Sequence, residues 1–287
     1  MRQAFALSDL QGKSLTPAPT VAYDPVARIV TIAPTAALQS DQMYRLSIGA
    51  GTNGVHAIDG ATLGASSLCA TRTAQQCIIE FPVVAATSSA TQSQATVEFC
   101  RDIYPIFSRC GGSGCHGGKL PASGLLLDLP KNITATAIGR VAHGSNTGPR
   151  SEVQSPGDPG PFGIDMAIVD PGPGSPAAGD PSQSWLLYKV MMGAPASQSG
   201  AQASSCDGGV ASPTDVTTIH SLAWQPLSDA ERNALANLVI GREMPIAPAG
   251  TAAGQGAGNL TLAELERISR WIAQSAPVPS TCGDCVP

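Results

Sequence analysis

From residue 28 onward the apolar positions alternate with polar ones instead of recurring every three or four residues. Arg28-Ile29-Val30-Thr31-Ile32 is β-branched and follows a turn at Asp24-Pro25. In Met43-Tyr44-Arg45-Leu46-Ser47-Ile48, the residues Tyr44, Leu46 and Ile48 fall on one face and Arg45 and Ser47 on the other, the period of a half-buried strand. Cys77-Ile78-Ile79-Glu80-Phe81 reads as a closing strand, and turn residues such as Asp59-Gly60 separate these runs at the interval of a sandwich. Residues 86–95, ATSSATQSQA, carry neither charge nor apolar period and read as a linker. The chain is therefore expected to be multidomain: an all-β region over 1–85, the linker, and a second domain over 96–287.

Beyond the linker the period becomes helical. Phe99, Ile103, Ile106 and Phe107 form a stripe that runs into Cys110, with Pro105 kinking the helix or restarting it as a first-turn proline. Ser123 to Leu129 is a short apolar run suited to a pocket wall, and Ile138 to Ala142 reads as a brief helical turn. Residues 144–181 are rich in Gly, Pro, Ser and Asp and should be irregular. Asp180-Pro181-Ser182-Gln183 reads as an N-cap, a first helical proline and a capping box for a helix over Ser184 to Met192 that stops at Gly193. After a loop over 194–225, two boxes, Ser228 with Glu231 and Thr261 with Glu264, open the last two helices. Arg242-Glu243-Met244-Pro245 lies between them.

Composition narrows the classes. Aromatics make 4% of the 287 residues, while Gly (31) and Pro (24) are abundant, so the chain is loop-rich and short of bulky core side chains. The net charge of −5 gives no reason to expect nucleic acid or an anionic membrane surface as partner. No apolar run approaches membrane-spanning length. The opening MRQAFALSDL lacks the pattern of a signal peptide. Eight cysteines nevertheless suggest an oxidising compartment, periplasmic or extracellular; an export signal is then expected to have been removed, or residue 1 is not the natural start.

The candidate chemistry centres on Cys110-Gly111-Gly112-Ser113-Gly114-Cys115-His116. Two cysteines followed at once by histidine form the attachment signature of a c-type haem, here with four residues between the cysteines where two are usual. Cys110 and Cys115 would add to the porphyrin vinyl groups and His116 would be the proximal iron ligand. The competing readings are a small Cys110–Cys115 disulfide loop, or half a zinc site completed by Cys282 and Cys285. Met244 is the candidate distal ligand, because a thioether is a soft donor and Pro245 would fix the chain beyond it. Its rivals are Met191, Met192, His143 and His220. His56 reads as a surface loop residue. Cys69 and Cys77 flank a short loop and are expected to pair. A redox pair at Cys282-Gly283-Asp284-Cys285 is the less favoured reading of that tail. No G-x-S-x-G, H-E-x-x-H, Walker or dinucleotide sequence is present, so no enzyme is expected.

Two resemblances sharpen these expectations. Residues in "VAYDPVARIVTIAPTAALQSDQMYRLSI", "HAIDGATLG" and "CIIEF" resemble the bacterial Ig-like module of the S-layer (SbsA) type, with its first strand missing; Tyr44, Asp59, Gly60 and Leu63 match that family's tyrosine and turn. Such modules are spacers or docking units. The pieces "IYPIFSRCGGSGCHGG", "SGLLLDL", "VDPGPGSPAAGDPSQSWLLYKV", "MP" and "LTLAELERISRWIAQSAP" resemble, in that order, the planctomycete-type cytochrome c domain, a relative of class I cytochromes c. That resemblance implies a mainly α, loop-rich fold and one covalent haem c on Cys110 and Cys115, with His116 and Met244 as axial ligands. An insertion of about 50 residues between the Trp185 helix and Met-Pro departs from the pattern. It further implies that the first and last helices pack together, so that Cys100 would reach Cys282 or Cys285, leaving Cys206 for the other. The function implied is single-electron exchange with redox partner proteins at the cell envelope, peroxidase-like only if the sixth iron position were open. The alternative is a haem-free, disulfide-stabilised surface binding or adhesion protein.

Overall fold

The computed structural model describes residues 4–51, 54–56, 63, 69, 71–73, 75–83, 96–142, 165–172, 179–196, 226–239, 241–246 and 259–283. The chain divides into two compact units: residues 1–23 with 29–95, and residues 24–28 with 96–287.

The first unit is a sandwich-like β region. Strands β1 (Phe5–Asp9), β2 (Thr20–Asp24), β3 (Ile29–Ala33), β4 (Gln42–Gly49), β5 (Thr71–Arg72) and β6 (Gln76–Val83) form a four-stranded sheet in the order β1-β4-β6-β5 and a two-stranded sheet, β2-β3. The alternation read in β4 sets the register. Leu46 lies opposite Leu7 of β1 and Ile79 of β6, Ile48 opposite Phe5 and Cys77, and Tyr44 opposite Phe81. One face therefore collects Phe5, Leu7, Tyr44 and Cys77, all buried, while Arg45 and Glu80 pair on the other at 2.7 Å. The Tyr44 hydroxyl accepts a hydrogen bond from the Gln39 N–H at 3.0 Å. Cys69 and Cys77 are disulfide-bonded, as their spacing suggests. β1, β2 and β5 are additions to the strands read from the sequence. β3 starts one residue later than the pattern indicates, because the Asp24 carboxylate accepts the Val26 and Ala27 N–H groups and Arg28 completes the turn at φ +59°.

The second unit is mainly helical and loop-rich. A π-helical turn over Phe99–Ile103 passes into α1 (Tyr104–Ser108), and Pro105 sits in the first turn of α1, where its missing N–H costs no hydrogen bond. Then come α2 (Pro130–Thr136), α3 (Trp185–Met191), α4 (Asp229–Leu238) and α5 (Leu262–Ala273). Trp271 of α5, fully buried, meets Phe99 and Phe107 at 5.7 Å between ring centroids. The first and last helices thus pack together, and the Cys100–Cys282 disulfide ties them. Both capping boxes form, at Ser228/Glu231 and at Thr261/Glu264. The turn at 24–28 belongs to this unit: Val26 is buried, Ser269 Oγ donates to Asp24 and Arg28 pairs with Glu231.

Two expectations are corrected, and one irregular stretch proves to hold deeply buried core. Ile138 to Ala142 is not helical; Ile138 and Val141 bridge to Val169 and Ala167 as extended chain, and the helix lies earlier, at α2. Within the stretch expected to be irregular, Met166, Ala167, Ile168 and Val169 have no exposed surface. They are held by backbone bonds from Ala142 and Trp185 to Met166 and Ala167 carbonyls, and from Ile168 to Arg140. Asp180 caps only a 3₁₀ turn over Pro181–Gln183, accepting from the Ser182 N–H and hydroxyl, and α3 starts afresh after Ser184. Among the described residues no helix is long and apolar enough to cross a membrane.

Candidate functional site

Helix α1 delivers its last turn to the C-x4-C-H loop. The N–H groups of Cys110 and Gly111 both return to the Phe107 carbonyl, at 2.8 and 2.9 Å. The Cys110 carbonyl then accepts the His116 N–H at 3.0 Å, which closes the loop on itself, with a tight turn inside it from Cys115 N–H to the Gly112 carbonyl. The far side is pinned too: Ala122 N–H donates to the Cys115 carbonyl and Leu127 N–H to the His116 carbonyl, each at 2.7 Å. Leu125 and Leu127 are buried, as a pocket wall requires, whereas Leu129 is exposed. Asp128 ties the wall to both neighbours. Its carbonyl accepts the Tyr104 hydroxyl at 2.7 Å and its carboxylate accepts Asn132 Nδ2 at 2.7 Å.

The glycines of this loop are not equivalent. A Cβ at Gly117 would lie 1.9 Å from the Gly111 carbonyl oxygen, and one at Gly111 would lie 2.9 Å from the Leu127 carbonyl oxygen. These two are required for the close approach of backbone to backbone. A Cβ at Gly112 or Gly114 would meet nothing within 4 Å. The two ends of the loop are packed against each other, and its tip faces open space.

Cys110 and Cys115 are free thiols, Cys115 exposed and Cys110 partly so. The other four described cysteines are all paired, and Cys110 and Cys115 are not bonded to each other in this structure. Burial pushes the Cys110 thiol up; the Arg109 cation opposes this, while Cys115 and Glu264 reinforce it. His116 is only 9% exposed, and its Nδ1 is buried without a hydrogen-bond partner. Burial holds the imidazole below its ordinary value, partly offset by the Ala122 and Leu125 backbone, so the ring is neutral at neutral pH and keeps a lone pair for a ligand. Arg109, one residue before the loop, donates to Glu264 at 2.7 Å. The other Glu264 oxygen accepts the Thr261 N–H and hydroxyl, so the cap of α5 also braces the start of the loop.

Met244 is half-buried and hangs from α3 through its N–H, which donates to the Lys189 carbonyl at 3.0 Å. The Lys189 ammonium is buried over the Trp185 ring, 5.2 Å from its centroid. Burial pushes its pKa down to about 8 against the opposing charge of Glu243. Gly241, at φ +88°, leaves room for that ammonium, since a Cβ there would stand 3.2 Å from Nζ. The structure thus assembles Cys110, Cys115 and His116 on one loop and ties the Met244 backbone to α3. Met191 and Met192 are buried in and beside α3. His143, His220, Cys206 and Cys285 lie outside the described residues, and His56 is exposed.

Cys282 is committed to Cys100, which removes both the local Cys282–Cys285 redox pair and a zinc site using Cys282. Among the described residues no group of three or more His, Cys, Asp and Glu side chains could hold a metal ion. Arg109, Asp128 and Gly117 were not singled out from the sequence, and Glu264 was read only as a cap; no local pattern links it to a residue 155 positions away. Comparisons with protein-family models, curated proteins and solved structures found no match for this chain. The two disulfides point to an oxidising, non-cytoplasmic environment.

Proposed function

We propose that this chain is an exported monohaem c-type cytochrome that passes single electrons between redox partner proteins, with the β region as an Ig-like spacer or docking module at the periplasmic or cell-surface side. The observation that carries the reading is the pair of unbonded sulfurs on a closed loop beside a buried, neutral histidine whose Nδ1 has no partner. That donor set is one haem c would take: Cys110 and Cys115 would anchor the vinyl groups, and the His116 imidazole and the soft Met244 thioether would be the residues to hold its iron. When bound, haem supplies a ferric/ferrous couple.

The chain's own residues then have distinct tasks. Cys110 and Cys115 hold the group by covalent bonds, so its position does not depend on ligand affinity. His116 is fixed by its backbone bonds to Cys110 and Leu127. The thioether of Met244 favours the reduced iron and raises the potential. Arg109 and Glu264 brace the first anchor against α5. No bond-making side chain is required, and peroxidase-like activity is expected only where Met244 is not bound. A pyridine haemochrome spectrum and an intact mass raised by one haem test the reading. Met244→Ala should remove the weak sulfur-to-iron band of the oxidised protein; its retention moves the distal position to another residue. A colourless chain would leave the haem-free surface protein as the surviving account.

A further inference from the structure

The two anchors are unequal in their surroundings. Cys110 lies at a packed end of the loop: its N–H and that of Gly111 return to α1, Gly111 is pressed on the Leu127–Asp128 backbone, and Arg109 is held by Glu264. Cys115 has its backbone held too, by Gly112 and Ala122, but the residue is exposed and borders the open tip of the loop, where a Cβ at Gly112 or Gly114 would meet no atom within 4 Å. A bulky planar electrophile therefore has more open access to the exposed Cys115 than to the partly buried Cys110.

We propose that Cys115 is the leading nucleophile of the pair, forming the first thioether, and that Cys110 closes the second. The inference rests on the haem reading for the identity of the electrophile, a porphyrin vinyl group. In each addition the sulfur bonds to one vinyl carbon as the C=C π bond breaks, and the thiol hydrogen ends on the other vinyl carbon. No electron is gained or lost overall, so no oxidant or reductant is consumed. With the first bond made at the exposed sulfur, the porphyrin is tethered, and the second addition becomes intramolecular. His116, adjacent to Cys115 in sequence, is brought to the iron by the same first step.

Timed alkylation tests the order without any haem. The full-length chain, prepared free of haem with both disulfides intact, is treated with a limiting amount of N-ethylmaleimide and the labelled peptides are quantified by mass spectrometry. Cys115 should react at least about tenfold faster than Cys110, and the two rates should converge in urea, where the fold no longer separates them. Equal rates in the folded chain, or Cys110 reacting first, would overturn the proposal, as would a difference that survives in urea. Single-anchor variants supply a second readout: Cys110→Ala should retain more covalent haem than Cys115→Ala, and the reverse ranking contradicts the order. A wild-type chain that takes up no haem at all would defeat the cytochrome reading, while the alkylation ranking would still decide which sulfur leads.

Discussion

Glu264 is the side chain on which the loop and the last helix most depend together, and its removal has a size that follows from its contacts. In Glu264→Ala the Thr261 N–H, on a residue only 4% exposed, loses its carboxylate acceptor. A buried donor left without a partner costs about 1–3 kcal/mol. The Arg109 bond is lost as well, but that side chain is 42% exposed and water replaces the carboxylate, so this part contributes about 0.5–1 kcal/mol. The sum is about 1.5–4 kcal/mol. Arg109→Ala, which leaves the cap in place, should cost about 0.5–1 kcal/mol. In the double variant the two losses should not add, because they share one bond; a coupling of about 0.5–1 kcal/mol is expected. All α-helices among the described residues lie in the second unit, so urea unfolding followed by helical circular dichroism reports on it. A Glu264→Ala effect below about 0.5 kcal/mol would refute the brace, since it would mean the Thr261 N–H finds another acceptor at no cost. Strict additivity with Arg109→Ala would refute the link to the loop.

Other outcomes are equally specific. Gly117→Ala should disrupt the loop and lower the yield of attached haem, because its Cβ collides with the Gly111 carbonyl, whereas Gly112→Ala, with open space around it, should leave the yield unchanged. Replacing Cys100 and Cys282 together by serine reopens a loop with a sequence separation of 182; chain entropy sets a ceiling of about 5 kcal/mol on the loss, read as a fall in Tm. Burial pushes the Asp170 carboxyl up, reinforced by Asp180 and opposed by the Gly172 N–H. The folded state therefore holds this proton more tightly than the unfolded chain, and the group's contribution to stability declines as pH rises from the ordinary aspartate range through the raised folded value. Asp170→Asn should flatten that part of the stability–pH profile, and an unchanged profile would show that the carboxyl is not desolvated.

The parts of the fold legible in the sequence were those whose cause is local. β4 and β6 follow from alternation, Cys69–Cys77 from a separation of eight, and both capping boxes from residues three apart. The deeply buried Met166–Val169 segment was missed because Gly, Pro and Ser surround it, and four apolar residues have no period of their own. α2 was missed because its buried positions are Pro130, Ile133 and Thr136, and a threonine that donates to the Leu126 and Asn132 carbonyls does not register as apolar. At the site, Cys110, Cys115 and His116 are adjacent in sequence and their chemistry is readable directly. What surrounds them is not: Glu264 reaches Arg109 only because Phe99 and Phe107 seat α1 on Trp271 of α5. Met244 is held through Lys189 for the same kind of reason, a contact made by the fold rather than by spacing.

The most direct test matures the full chain in an oxidising host supplied with haem and records its reduced spectrum in alkaline pyridine. A cytochrome should show the haemochrome of a two-thioether haem, one per chain, that resists acid-acetone extraction and disappears when Cys110 and Cys115 are both alanine. A colourless product whose peptide map shows Cys110 bonded to Cys115 would contradict the account at its root.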